Sequence, residues 1–251
     1  MALKDLSFLF LVFALIAEVI GTVGGFGSSV FFVPIANMYF DFQTVLGLTA
    51  LFHLSSNLSK IALFRKGLDK KLLLYIGGPS VVFVIVGGIA SAYIDAAYLE
   101  IGLGIFLIGL SVLFLINSHL KVKANKREAV TGGALSGFVA GMLGTGGAIR
   151  GLTMAAFNLE KNAFIATSAF IDFFVDLSRS VVYVINGYVT SEVLIYIPFL
   201  LVIGIVGTYI GRYILSHISQ DSFKKISLIL ILIIGVTTLL NVVLGNILGL
   251  E

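Results

Sequence analysis

The chain of 251 residues contains no cysteine, so disulfides, thiolate metal sites and iron–sulfur clusters are all excluded. Charge is nearly as scarce: Asp, Glu, Lys and Arg make up 12% of the residues, about half the share of a soluble domain. No GxxxxGK[ST] loop occurs, which leaves direct ATP drive unsupported. HExxH, GxSxG and His–Cys clusters are absent too, so no familiar hydrolytic or metal motif is present. The net charge of +3 comes from basic loops, and it speaks for membrane topology rather than for nucleic acid. The sequence asks for no cofactor and no metal.

Apolar sequence is what the chain has in quantity. Hydrophobic residues reach 59% and mean hydropathy is +1.10. Runs of about 20 such residues recur, the length that crosses a hydrocarbon core roughly 30 Å thick. The fold expected is an all-α polytopic membrane protein, and the location a cell membrane crossed many times. Ten apolar segments can be drawn, at roughly 6–20, 28–40, 43–64, 72–93 and 98–117, then 129–142, 148–159, 163–185, 193–214 and 226–248. The opening MALKDLSFLFLVFALIA resembles a signal peptide, but no small-x-small cleavage site follows, and the repeat described next needs it as a helix.

A shift of 120 residues lays Gly21, Gly24 and Gly27 on Gly141, Gly144 and Gly147, Gly67 on Gly187, Gly87 on Gly207 and Tyr93 on Tyr213. A shift of 119 lays Pro79 on Pro198. Several matches at one offset predict a duplication, with a first repeat in 1–120 and a second in 121–251. The first two segments of each repeat are too short to span singly at about 1.5 Å per residue. They are expected to form a Gly-broken helical hairpin, re-entrant or crossing, followed by about three full transmembrane helices. Loop charge then sets orientation. Arg65, Lys66, Lys70 and Lys71 mark 64–71 as cytoplasmic, as Lys121, Lys123, Lys126 and Arg127 mark 118–128. The loop at 94–97 carries Asp95 and no base, and is expected outside. In the second repeat 185–192 has no base, while 212–225 has Arg212, Lys224 and Lys225. The repeats are therefore expected in opposite orientations, as in many secondary transporters, with both termini outside.

Each repeat opens on a glycine-rich stretch, GTVGGFGSSVFFVP at 21–34 and SGFVAGMLGTGGAIRG at 136–151. The pair resembles the two signatures of the TauE/SafE sulfite-exporter family, roughly small-Gly-x-x-Gly-x-Gly-Gly-Gly followed by an apolar run and often Pro. Gly141, Gly144, Gly146 and Gly147 carry the second copy, with Ala148 in place of the last glycine. The first copy departs further, with Phe26 and Ser28 at glycine positions and Pro34 one position late. The likeness covers essentially the whole chain in length, duplication and motif position. It implies a membrane permease for sulfite, organosulfonates such as sulfoacetate, or related small anions, and not an enzyme.

The breaks themselves suggest a use. Irregular backbone at membrane depth is tolerated where protein or a watery cavity surrounds it. New short helices are expected to begin near Ser28 and Ala148. The first N–H groups of a helix lack intrahelical partners and carry about +0.5 charge. Two such starts facing each other would cradle an oxyanion, with Gly24, Gly25, Gly27, Ser28 and Ser29 on one side and Gly144, Thr145, Gly146 and Gly147 on the other. Close helix packing is the competing use of these glycines, and the one expected of Gly77, Gly78, Gly87, Gly88, Gly102 and Gly104. Arg150 lies three residues past Gly147, and its planar fork suits a sulfonate or carboxylate. A structural pairing with an acid such as Glu18 is the other reading.

The third segment of each repeat carries polar residues at i, i+4 and i+7, hence on one face. They are His53, Asn57 and Lys60 in 43–64, and Asp172, Asp176 and Arg179 in 163–185. Asn57 and Arg179 are candidate substrate ligands. Glu18, His53, Asp172 and Asp176 are candidates for gating or for coupling to a proton or sodium ion, with Asp176 and Arg179 also able to pair with each other. Lys60 is expected to snorkel to the inner interface. Three functions stay open. A secondary anion transporter, alternating access about a midplane site, is the first. An anion channel with a glycine-loop filter and an intramembrane enzyme using Ser28 or Ser136 as nucleophile and His53 as base are the others. The partners expected are a small anion, the lipid bilayer and a coupling ion.

Overall fold

A computed structural model describes residues 7–24, 27–64, 67–117, 122–191, 193–215, 217 and 220–248. These residues hold helices and no strand. The first half comprises α1 (Phe8–Gly24), α2 (Ser29–Ala36), α3 (Phe42–Leu63), α4 (Lys70–Ser91) and α5 (Ala96–Ile116). The second comprises α6 (Lys126–Leu143), α7 (Gly147–Ala155), α8 (Lys161–Ile185), α9 (Ile197–Leu215) and α10 (Gln220–Leu248). Each expected apolar segment is a helix. α4 widens through a π-turn at Leu73–Gly77, just ahead of Pro79, which has no N–H to donate.

One expectation about length changes. α1 and α6 have 17 and 18 residues, because the glycines before each break stay helical. At about 1.5 Å per residue each is roughly 25–27 Å long, close to a full crossing. The short partners are α2 and α7, with 8 and 9 residues.

Side-chain caps begin three of the helices that start in loops, while α5 and α8 have none. Asp41 accepts from the Thr44 N–H at 3.0 Å to start α3, Asp69 from Lys71 and Leu72 to start α4, and Asn125 from Glu128 at 2.9 Å to start α6. α4, α5 and Ile197–Ile214 of α9 are long and apolar enough to cross a membrane. Their outer faces expose Val82, Val86, Ile105, Val202 and Val206, a surface suited to acyl chains and a liability in water. α3 and α8 have the length, 22 and 25 residues, but give one face to polar side chains.

The helix pairings form a pattern. α4 runs parallel to α6, with Gly133, Gly137 and Gly141 against the backbone of Ile76, Ser80 and Val84 in turn. α1 runs parallel to α9, with Glu18 against Gly207 and Thr22 against Gly211. α3 and α8 are antiparallel: Gly47 meets Tyr188, Asn57 meets Asp176 and Gly67 meets Ala163. α5 and α10 are antiparallel as well, with Gly104 against Leu239 and Gly235 against Ile108. Exchanging the two sets of five helices turns the α4–α6 pairing into α9–α1 and returns α3–α8 and α5–α10 to themselves.

Candidate anion site

Both breaks turn on glycine. Gly27 has φ +85° and Gly144 φ +73°, a region that glycine enters without the Cβ penalty. Gly24 closes α1, and Gly25 lies outside the described residues. Each break folds back on the helix before it. A Cβ on Gly21 would run into the Ser28 backbone, and one on Gly146 into the Ser136 carbonyl. The Ser136 hydroxyl also donates to the Gly146 carbonyl at 2.8 Å. The two breaks then meet. An added Cβ on Gly27 would stand 3.8 Å from the Gly147 Cα, and the Ser29 hydroxyl donates to Thr145 Oγ1 at 3.2 Å.

Neither α2 nor α7 receives a side-chain cap; α5 and α8 lack one too, whereas α3, α4 and α6 have one. Ser28 stands at the N-cap position of α2, yet its hydroxyl bonds to His53 Nε2 at 2.7 Å. His53 Nδ1 lies 2.8 Å from the Thr49 carbonyl. A carbonyl only accepts, so Nδ1 carries the hydrogen, and when the ring is neutral Nε2 accepts from Ser28.

A cavity of about 40 Å³ sits where the breaks meet, more than the roughly 10–15 Å³ that one water needs. The first break lines it with Gly27, Ser28 and Ser29, and the second with Gly144, Gly146, Gly147 and Arg150. α3 adds His53, Asn57 and Lys60, and α8 adds Asp172, Asp176 and Arg179. Thr145 and Glu18 stand off this wall. A second cavity of about 70 Å³ shares Gly27, Lys60, Arg150 and Asp172 with the first and extends to Phe64 and Arg212. The Arg212 guanidinium lies over the Phe64 ring, 5.1 Å from its centre.

Three ion pairs organise these walls. Arg150 Nη2 meets Asp172 Oδ1 at 2.5 Å, and its Nε donates to Ser168 Oγ at 3.4 Å. Arg179 grips Asp176 Oδ1 through Nε at 2.8 Å and Nη2 at 2.7 Å, and Nη1 donates to the carbonyls of Gly144 at 2.8 Å and Ala140 at 3.2 Å. The Tyr183 hydroxyl donates to the Gly141 carbonyl at 2.7 Å. Arg179 and Tyr183 thus satisfy the last carbonyls of α6, where a cation also suits the helix dipole. Asn57 Nδ2 donates to Asp176 Oδ2 at 2.7 Å. Lys60 reaches Glu18 Oε1 at 3.1 Å, and the same oxygen accepts from Thr22 and Thr208, each at 3.1 Å.

Two expectations are corrected by these contacts. Glu18 pairs with Lys60 and not with Arg150, because Arg150 is turned toward α8. Lys60 does not snorkel outward: the fully buried Glu18 carboxylate draws it inward, to 14% side-chain exposure, onto the wall of both cavities. Sequence reasoning passed over Lys60 as a site residue although it shares the His53 face at i+7. It gave no role to Tyr183 and considered Ser136 only as a nucleophile; both donate to backbone carbonyls on other segments and leave no trace in spacing. Gly141 serves packing rather than the cavity, against the Val84 carbonyl, whereas Gly21 lines the second cavity.

Comparison with known proteins agrees with this architecture. The family model described as Sulfite exporter TauE/SafE matches residues 9–238. A curated relative from Methanocaldococcus jannaschii, described as a probable membrane transporter protein, is 30% identical over 158 residues, 56% of this chain and 58% of the relative. The chain therefore spans a little over half the length of that relative. The family match itself runs from α1 into α10 and takes in both glycine breaks: the chain belongs to the sulfite exporter TauE/SafE family.

Proposed function

We propose that this protein is a secondary transporter of small sulfur-containing oxyanions, sulfite or sulfonates such as sulfoacetate, bound between the two glycine breaks. One observation carries the reading: two helix starts without side-chain caps and the Arg150 guanidinium line a single cavity. A sulfo group presents three acceptor oxygens, enough to meet N–H groups from both starts, the Ser28 and Ser29 hydroxyls, and one edge of Arg150. Arg150 is assigned the anion in preference to Arg179, whose donors are taken by Asp176 and two carbonyls. Asn57 supports the wall through Asp176. The name of the family and that of the archaeal relative support transport as the activity.

The two five-helix sets would be inverted repeats, a reading supported by the exchange of helix pairings and by the antiparallel course of α3 and α8. Rocking one set against the other would expose the site to each side in turn. Loop charge puts both termini outside, in a cell membrane. Coupling to a proton or sodium ion would use carboxylates or the imidazole near the cavity, from Glu18, His53, Asp172 and Asp176.

A second reading rests on the Ser28–His53 hydrogen bond of 2.7 Å, which has the reach of a nucleophile and its base. It would make the cavity a hydrolytic site, and covalent labelling of Ser28 by a sulfonyl fluoride would favour it. The transport reading is tested by heating the purified protein with sulfite, sulfate, thiosulfate, sulfoacetate, taurine and carboxylates of matched size. A ligand of the native state raises apparent stability by RT ln(1 + [L]/Kd), about 2.7 kcal/mol at 100 Kd. A later transition is expected with a sulfur oxyanion and no change in Arg150→Ala. Absence of any shift at concentrations far above a plausible affinity would return the glycines to a packing role.

A further inference from the structure

Among the described residues, the walls of the cavity that the proposed function assigns to an anion carry no spare positive charge. Lys60, Arg150 and Arg179 line it, and each is already paired, with Glu18, Asp172 and Asp176 respectively. Adding an anion to three matched pairs would bury a net negative charge at membrane depth, which is strongly unfavourable without a compensating cation. Neutralising one carboxylate as the anion enters would supply that compensation.

The three carboxylates are not equivalent. Asp176 accepts from Arg179 twice and from Asn57, and its side chain is 5% exposed. Glu18 is fully buried and stands off the cavity wall. Asp172 is 23% exposed, lines both cavities, and besides Arg150 has the Ser168 hydroxyl at 3.4 Å. The groups facing it from packed elements are Arg150 on α7, Lys60 and His53 on α3, and Arg212 on α9, with Asp176 and Arg179 on its own helix.

We infer that Asp172 and the anion exchange places on Arg150: the anion takes over the guanidinium while Asp172 takes up one proton from the larger cavity. Anion and proton then occupy the site together, and with a singly charged sulfonate the cluster keeps its net charge. The balance is one O–H bond formed on Asp172 and one ion pair replaced by another. Nothing is oxidised or cleaved. This rests on the anion-site reading, and it selects Asp172 from the carboxylates that could couple.

The test uses purified protein in weakly buffered detergent solution with methanesulfonate and sulfoacetate as probes, because a sulfonate keeps its charge between pH 5.5 and 8.5. Binding of methanesulfonate, which carries a single charge, to the wild type should take up about one proton per anion, and affinity should fall about tenfold per pH unit as pH rises. Asp172→Asn, already neutral, should bind with no proton uptake and with an affinity that no longer follows pH. Asp172→Glu should keep the uptake. Binding without uptake by the wild type overturns the inference even if neither variant folds. Uptake that persists in Asp172→Asn overturns it too, by placing the proton elsewhere. If neither sulfonate shifts the wild-type melting transition, the anion site fails first and this inference goes with it.

Discussion

Two arginines line the cavity, and their neighbours divide the labour between them. Arg179 is 3% exposed and commits Nε and Nη2 to Asp176 and Nη1 to two carbonyls at the end of α6. Removing it strands a buried carboxylate and uncaps a helix, losses of the kind that reach about 3–5 kcal/mol for one half of a buried pair. Arg179→Ala is therefore expected to lower the thermal midpoint sharply with or without ligand. Arg179→Lys should recover little, since a single ammonium cannot reproduce the fork. Arg150→Ala is expected to keep most of its stability, because the Asp172 left behind is 23% exposed and lines the larger cavity, but to lose the ligand-dependent shift. Heating followed by size-exclusion chromatography, with and without sulfoacetate, separates the two outcomes. Equal destabilisation by both substitutions would mean that Arg150 is a structural residue as well.

At the scale of the element, glycine does two jobs that look alike in sequence. Gly133, Gly137 and Gly141 sit four residues apart on α6 and bring its backbone onto α4. A methyl at Gly137 would meet the carbonyl and Cα of Ser80, and backbone cannot step aside, so Gly137→Ala should destabilise by about 1–3 kcal/mol as overpacking does. Gly109 on α5 has nothing within 4 Å of an added Cβ, so Gly109→Ala should be neutral or stabilising by up to about 1 kcal/mol through helix propensity. The same heating assay checks both. The course of the helices was legible from apolar runs punctuated by glycine and loop charge, and so were the breaks near Ser28 and Ala148. Which glycine packs and which lines the cavity was not, because the answer lies in what faces it. Gly141 faces Val84 on another helix, and Gly27 faces Gly147 at the other break. The pairing of Lys60 with Glu18 and of Arg150 with Asp172 was hidden for the same reason: the register of one helix on another is set by packing along both.

At the scale of the whole molecule, inversion makes a claim that a simple tandem duplication does not. Positions 120 residues apart should lie on opposite sides of the membrane if the repeats are inverted, and on the same side if they are not. The antiparallel course of α3 and α8 puts the loop after Gly67 and the loop around Tyr188 at opposite ends of that pair. Lys70 and Thr190 are such equivalents. A chain without cysteine lets single cysteines report alone, so Lys70→Cys, Asp95→Cys, Lys123→Cys and Thr190→Cys can be labelled in intact cells with a membrane-impermeant maleimide. Asp95→Cys and Thr190→Cys are expected to label from outside, with Lys70→Cys and Lys123→Cys reacting after lysis. Labelling of Lys70→Cys and Thr190→Cys from the same side would sink the inversion, and with it the rocking of two opposed half-sites. The reversed pattern, with Lys70→Cys and Lys123→Cys outside, would keep the inversion and overturn the orientation that loop charge assigns. It would also turn the larger cavity, which ends at Phe64 and Arg212, from the cytoplasmic side to the outside, and so change the compartment from which Asp172 draws its proton.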